Sequence, residues 1–141
     1  MPVSPWRFRM GRMGDVLMSA AGPAMNLLLA AVALTALGIW QAKGPMQQPI
    51  QQNVEVFLST GGWMNLFLAI FNMLPFPPLD GSRVAAGLVA PLRPVIESPQ
   101  VQQFGWLAIF ACSMLGLFGP VMRVCHALAD AWSDRVFAWF A

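Results

Sequence analysis

Three long stretches of this chain carry no charged residue: 16–40, 56–79 and 104–122. A helix needs about 20 mostly apolar residues to cross the hydrocarbon core of a bilayer, and each stretch is close to that length or longer. None of them alternates with a period of two, which argues against a transmembrane barrel. The composition agrees, because 57% of the 141 residues are hydrophobic and only 10% are charged. Soluble domains carry about 25% charged residues, so a soluble helical domain would need far more polar surface than this chain offers. The expectation is an all-α, polytopic membrane protein with about three transmembrane helices, in contact with lipid. A net charge of +2 without a basic stripe interleaved with aromatics gives no reason to expect nucleic acid.

The second apolar stretch ends on a carboxylate. Asp80 closes the run Asn72-Met73-Leu74-Pro75-Phe76-Pro77-Pro78-Leu79-Asp80-Gly81 and is the first charge after Glu55. A carboxylate in lipid costs roughly 2.5–3.5 kcal/mol on insertion scales, so it persists by pairing with a metal, a proton path or a basic partner. Prolines and a glycine flank it, so the backbone is broken where the charge sits. Irregular backbone at membrane depth is tolerated only when buried in protein or lining a wet cavity. The plainer reading of Asp80 is an N-cap for a helix that resumes at residues 81–90 and stops at Pro91.

Elsewhere the pattern is simpler. Residues 41–55, rich in Gln, Pro and Gly, read as a polar loop or re-entrant hairpin, and residues 91–99 as a turn-rich connection. Residues 1–122 form the membrane domain on this reading, and 123–141 a C-terminal amphipathic helix. In that helix Val124, Leu128, Ala131, Trp132, Val136 and Trp139 make an apolar stripe opposite Asp130, Asp134 and Arg135. Arg7, Arg9 and Arg12 precede the first span, while Arg83 and Arg93 follow the second. This bias favours a cytoplasmic N-terminus, with Asp80 toward the same side. Trp40, Trp63 and Trp106 fit interfacial anchors or core positions equally. Cys112 and Cys125 have no metal-type spacing, and His126, the single histidine, reads as an interfacial polar residue.

The run from Asn72 to Gly81 resembles the N-x-x-P-x-x-P-L-D-G signature of the site-2 protease family, intramembrane zinc metalloproteases. Ala21-Gly22-Pro23-Ala24-Met25-Asn26 is similar to that family's A-G-P-x-x-N at the start of a membrane helix, and residues 2–9 look like the connector before it. The resemblance covers residues 2–95. It implies that Asp80 is the third zinc ligand, the other two being histidines of an H-E-x-x-H whose glutamate is the general base. Asn72 and Pro75 become candidates for the substrate cleft. Gly22, Pro23, Asn26 and Gly81 become structural parts of the motifs, with Gly22 permitting close helix approach and Pro23 sitting in a first helical turn. Asn26 reads first as an interhelical hydrogen-bonding amide. The implied substrate is a transmembrane or membrane-proximal protein, and the implied location a bacterial cytoplasmic membrane, spanned more than once.

One departure is large, for the chain contains no H-E-x-x-H and has two glutamates, Glu55 and Glu97, neither beside a histidine. A catalytic zinc needs three protein ligands, and Asp80 alone is not enough. The expectation is therefore an N-terminally incomplete portion of such a protease, inactive by itself. A natural non-catalytic scaffold is the alternative within the same resemblance. A small transporter subunit with Asp80 as a mid-membrane ion site is the rival from another class.

Overall fold

The computed structural model describes residues 11–43 and 49–141. The connector with Arg7 and Arg9, the Arg12 side chain and loop residues 44–48 lie outside the described residues. The described residues form helices α1 (Gly11–Lys43), α2 (Ile50–Asn72), α3 (Asp80–Leu88), α4 (Arg93–Ile96), α5 (Pro99–Met114) and α6 (Gly119–Phe140), with a 3₁₀ turn at Ala90–Leu92. Met13–Lys43 and Ile50–Asn72 are long and apolar enough to cross a membrane, with mean hydropathy 1.8 and 1.5. A third span is reached if α5 and α6 count together. The chain has the all-α architecture of a polytopic membrane protein.

The helix ends differ from the sequence reading for local reasons. The second span was expected over 56–79 but runs over Ile50–Asn72. Pro75 lacks an N–H and its ring would clash with the carbonyl four residues back, so α2 cannot pass it. At its other end, α2 reaches into the expected loop, where the Gln51 side-chain amide donates to Glu55 Oε1 at 3.1 Å. The third span, expected over 104–122, is interrupted after Met114. There Gly116 takes a left-handed conformation with φ of 69°. Leu117 N–H donates to the Cys112 carbonyl, and Gly116 N–H to that of Ser113, the double bond of a Schellman stop. Pro120 in the first turn of α6 then restarts the helix. Pro23 is also placed otherwise than expected: it lies inside α1, not in its first turn.

The chain divides into two compact units. One contains the residues up to Ala24 together with Ile70–Leu117; the other contains Met25–Ala69 and Phe118–Ala141. In the second unit, Leu34, Leu37 and Ala129 form a buried cluster flanked by Leu58 and Trp63. α6 meets α1 through small residues, with Cys125, Ala129 and Ser133 buried one turn apart. The apolar stripe of α6 faces away from these buried residues: Val124, Leu128, Ala131, Trp132 and Trp139 are exposed and Val136 is partly buried. Lipid tails are as apolar as leucine, so membrane helices associate through small residues and hydrogen bonds and turn large apolar side chains outward. The indole N–H of Trp132 donates to Thr35 Oγ1 at 3.1 Å, and Lys43 Nζ lies 5.1 Å from the Phe140 ring centre. Trp63 stacks on His126 with ring centres 4.3 Å apart and packs against the buried cluster. Both cysteines are free.

The closeness of α1 and α6 rests on Gly38. A Cβ there would fall 2.7 Å from the Ser133 carbonyl oxygen and 2.6 Å from Val136 Cβ, whereas one at Gly61 would meet nothing within 4 Å. Gly38→Ala is expected to lower stability by about 1–3 kcal/mol through overpacking. Gly61→Ala should instead raise it by up to about 1 kcal/mol through helix propensity. Thermal unfolding in detergent, followed by circular dichroism, checks both.

Candidate functional site

The broken stretch after α2 is built from bonds that tighten the chain and then reverse it. Met73 and Leu74 N–H groups donate to the carbonyls of Ile70 and Phe71 at 3.2 and 3.1 Å, a 3₁₀ ending. Phe76 N–H then reaches the Leu74 carbonyl at 2.7 Å, and Leu79 N–H the Phe76 carbonyl at 2.8 Å. The peptide between Pro77 and Pro78 is cis. Three prolines within four residues, Pro75, Pro77 and Pro78, would leave backbone groups unpaired in an apolar setting, and these short bonds satisfy part of that demand.

Two glycines lock the stretch in place. A Cβ on Gly81 would run into the carbonyls of Met73 and Leu74, and one on Gly105 of α5 into the carbonyl of Pro77. Backbone therefore packs directly on backbone at both points, which only glycine allows. Leu79, Gly81, Ser82 and Gly105 are buried as a result. The Gly105 contact had no signal in the sequence reading, which took residues 104–122 only as an apolar span.

Asp80 emerges from this arrangement as the first residue of α3. The N-cap is Leu79, in extended conformation, so Asp80 is not the capping residue the plainer reading expected. Ser82 closes the first turn instead, its hydroxyl donating to the Leu79 carbonyl at 2.7 Å. The carboxylate stands at the N-terminal, positive end of the α3 dipole. It is partly buried and makes no hydrogen bond or ion pair with the described residues. Arg93 pairs with Glu97 at 2.8 Å.

Of the residues singled out by sequence, Gly22 and Asp80 come together: a Cβ on Gly22 would lie 3.4 Å from Asp80 Oδ2. Pro23 is buried next to it, and Asn26, partly buried, belongs to the other unit. Asn72 is the last residue of α2 and Pro75 is exposed. Pro75 also borders an apolar groove of about 500 Å³, walled by Phe76, Pro77, Ile96, Phe104 and Gly105. Among the described residues no three His, Cys, Asp or Glu side chains are grouped to hold a metal ion. The residues present therefore do not amount to a zinc centre, and Asp80 is a single candidate ligand.

Comparison with known proteins decides the lineage. The profile of Peptidase family M50 matches residues 37–116. The chain is 39% identical to "Putative zinc metalloprotease YwhC" of Bacillus subtilis (strain 168), over 99% of its own length and 63% of that protein's. It is 36% identical to "Putative zinc metalloprotease sll0528" of Synechocystis sp., over 69% of this chain and 25% of that one. This chain belongs to peptidase family M50, the site-2 protease family. No solved structure matches it significantly. As an M50 chain it spans about 63% of the length of the first of these relatives. The stretch matched by the M50 profile holds Asp80 and the whole broken segment before it, while Gly22 to Asn26 lie outside that stretch.

Because Gly81 meets backbone that cannot move aside, Gly81→Ala is expected to open the broken segment. Hydrogen exchange at the Phe76 and Leu79 amides, both bonded in the native turns, should accelerate, with a stability loss of about 1–3 kcal/mol.

Proposed function

We propose that this chain supplies a metal ligand, Asp80, to an intramembrane zinc metalloprotease of the site-2 type, which hydrolyses peptide bonds of membrane-embedded substrates. The observation that carries the reading is the Asp80 carboxylate, held partly buried at the start of α3 with no partner among the described residues. A three-ligand zinc site needs two ligands beyond it. On this reading they are a histidine pair of an H-E-x-x-H, which these 141 residues do not contain. The 141 residues alone would then hydrolyse nothing. The relatives' names, both zinc metalloproteases, support the assignment of the metal.

The broken segment has a place in the same reading. Asn72 and Pro75 mark the near end of the segment and Asp80 its far end, so a substrate strand lying along it would pass from the amide to the carboxylate. Substrates would be transmembrane or membrane-proximal proteins. The protein would sit in lipid as a multi-pass component of a bacterial cytoplasmic membrane, its N-terminus and Asp80 on the cytoplasmic side.

The test replaces Asp80 by Asn or Ala at the chromosomal locus and purifies the native protein from membranes. Zinc content and cleavage of a membrane-anchored reporter are then measured. Loss of a group that merely supports a ligand costs roughly 10–100-fold in affinity or activity, so loss of the ligand itself should cost more in both. Near-native zinc content and turnover in Asp80→Asn would overturn the assignment. So would Asp80-dependent ion flux in proteoliposomes from a protein that binds no zinc.

A further inference from the structure

The chain passes between its two compact units three times, after Ala24 in α1, after Ala69 in α2 and after Leu117 ahead of α6. Each passage falls beside residues that weaken or end a helix. In α1, Pro23 stands next to Ala24 inside the helix. It has no N–H for the Ser19 carbonyl, so one rung of the ladder is missing there. In α2, the ladder tightens just after Ala69, since the Met73 and Leu74 N–H groups donate three residues back, to Ile70 and Phe71. Ahead of α6, Gly116 is left-handed with φ of 69°, and Gly119 and Pro120 open the next helix. Sharp kinks in helices arise at proline, at glycine or where the ladder is interrupted.

Packing around the glycines divides in the same way. Within the first unit, a Cβ on Gly81 or Gly105 would strike backbone carbonyls. Within the second, one on Gly38 would strike the Ser133 carbonyl and one on Gly62 the side chain of Leu34. At the passages there is room instead. A Cβ on Gly116 or Gly119 would meet nothing within 4 Å, and one on Gly22 would meet Asp80 Oδ2 at the ordinary contact distance of 3.4 Å. Gly22 is exposed and does not provide the close helix approach expected from sequence. Gly61 is also open, but it stands inside α2 away from any passage. Backbone that can turn therefore coincides with free space at the passages, and clamped backbone with the interior of each unit.

We propose that residues 22–23, 69–72 and 116–120 are hinges, about which the unit holding Asp80 turns as one body. The second hinge stops at Asn72 because Gly81 clamps the carbonyls of Met73 and Leu74 beyond it. Asp80, the broken segment and the apolar groove beside Pro75 all belong to the first unit, so turning leaves their mutual geometry intact. The second unit keeps α1 and α6 joined through Gly38 and the Thr35–Trp132 bond. A few element-terminal residues that absorb the change in φ and ψ are the usual construction of such a device. Its use rests on the reading of Asp80 as a metal ligand: turning of this unit gates the approach of a substrate strand to the broken segment.

The test measures distances between pairs of spin labels in the native protein, purified from membranes and placed in lipid discs. Cys112→Ser removes the partly exposed thiol, and Cys125 is buried. Labels at Leu88→Cys and Phe57→Cys report between the units, and labels at Leu88→Cys and Phe110→Cys report within the first, all three sites being exposed. The between-unit distribution should be at least about twice as wide as the within-unit one. Gly22→Ala combined with Pro23→Ala restores the α1 ladder, and should narrow the between-unit distribution about twofold while leaving the other unchanged. Gly61→Ala brings the same gain in helix propensity away from a passage, and should change neither. A between-unit distribution as narrow as the within-unit one, or one that the combined variant leaves unchanged, would overturn the hinges. So would equal narrowing by Gly61→Ala. Should the combined variant fail to fold, Gly22→Ala alone carries the same decision. Zinc content and reporter cleavage keep the Asp80 reading separate. The stiffened variant should hold native zinc and turn over at least tenfold more slowly, and narrowed distances with native turnover would overturn the gating role. Native zinc content in Asp80→Asn would remove the ligand reading beneath it, whatever the distances.

Discussion

An ionised carboxylate beside an apolar span loses water, and something must compensate for that loss if it is to stay charged. Asp80 is in that position, and the local structure is arranged around it. Pro75 ends α2 at Asn72, the turn bonds at Phe76 and Leu79 reverse the chain, and Gly81 clamps the new helix against the carbonyls of Met73 and Leu74. Gly105 seats α5 on Pro77 from another direction. The outcome is a rigid break that delivers a carboxylate to the positive end of a nine-residue helix.

The second unit shows how such a chain holds together without a water-driven core. α1 and α6 meet over Gly38, Ser133 and Val136, with Thr35 and Trp132 joined by a hydrogen bond. Large apolar side chains such as Leu28, Phe57 and Trp139 point outward, at 57%, 75% and 88% exposure. In water that would be a liability for aggregation; in lipid it is solvation. The same logic explains why the buried face of α6 is Cys125, Ala129 and Ser133.

What could be read from sequence depended on whether the signal was local. Prolines at 75, 77 and 78 dictate a break whatever the tertiary context, and the motif around them pointed to Asp80. Gly116 and Pro120 carried an equally local signal, a left-handed stop and a first-turn proline, but it was hidden inside an apolar run that suggested one continuous span. The buried face of α6, built from Cys125, Ala129 and Ser133, carried no signal along the sequence, because small residues become a contact face only through the helix that packs on them. Gly105 against Pro77 and Gly38 against Ser133 join residues far apart in the chain. A glycine's reason for being glycine lies in its neighbour, and no pattern along the sequence names that neighbour.

Under the proposed function the Asp80 carboxylate binds a cation directly. Crystals of the zinc-loaded native protein, measured on both sides of the zinc absorption edge, test it without recourse to activity. The account expects an anomalous peak about 2.0–2.2 Å from an Asp80 carboxylate oxygen, the distance of a zinc–carboxylate bond. A zinc peak elsewhere, with Asp80 turned away from it, would contradict the account.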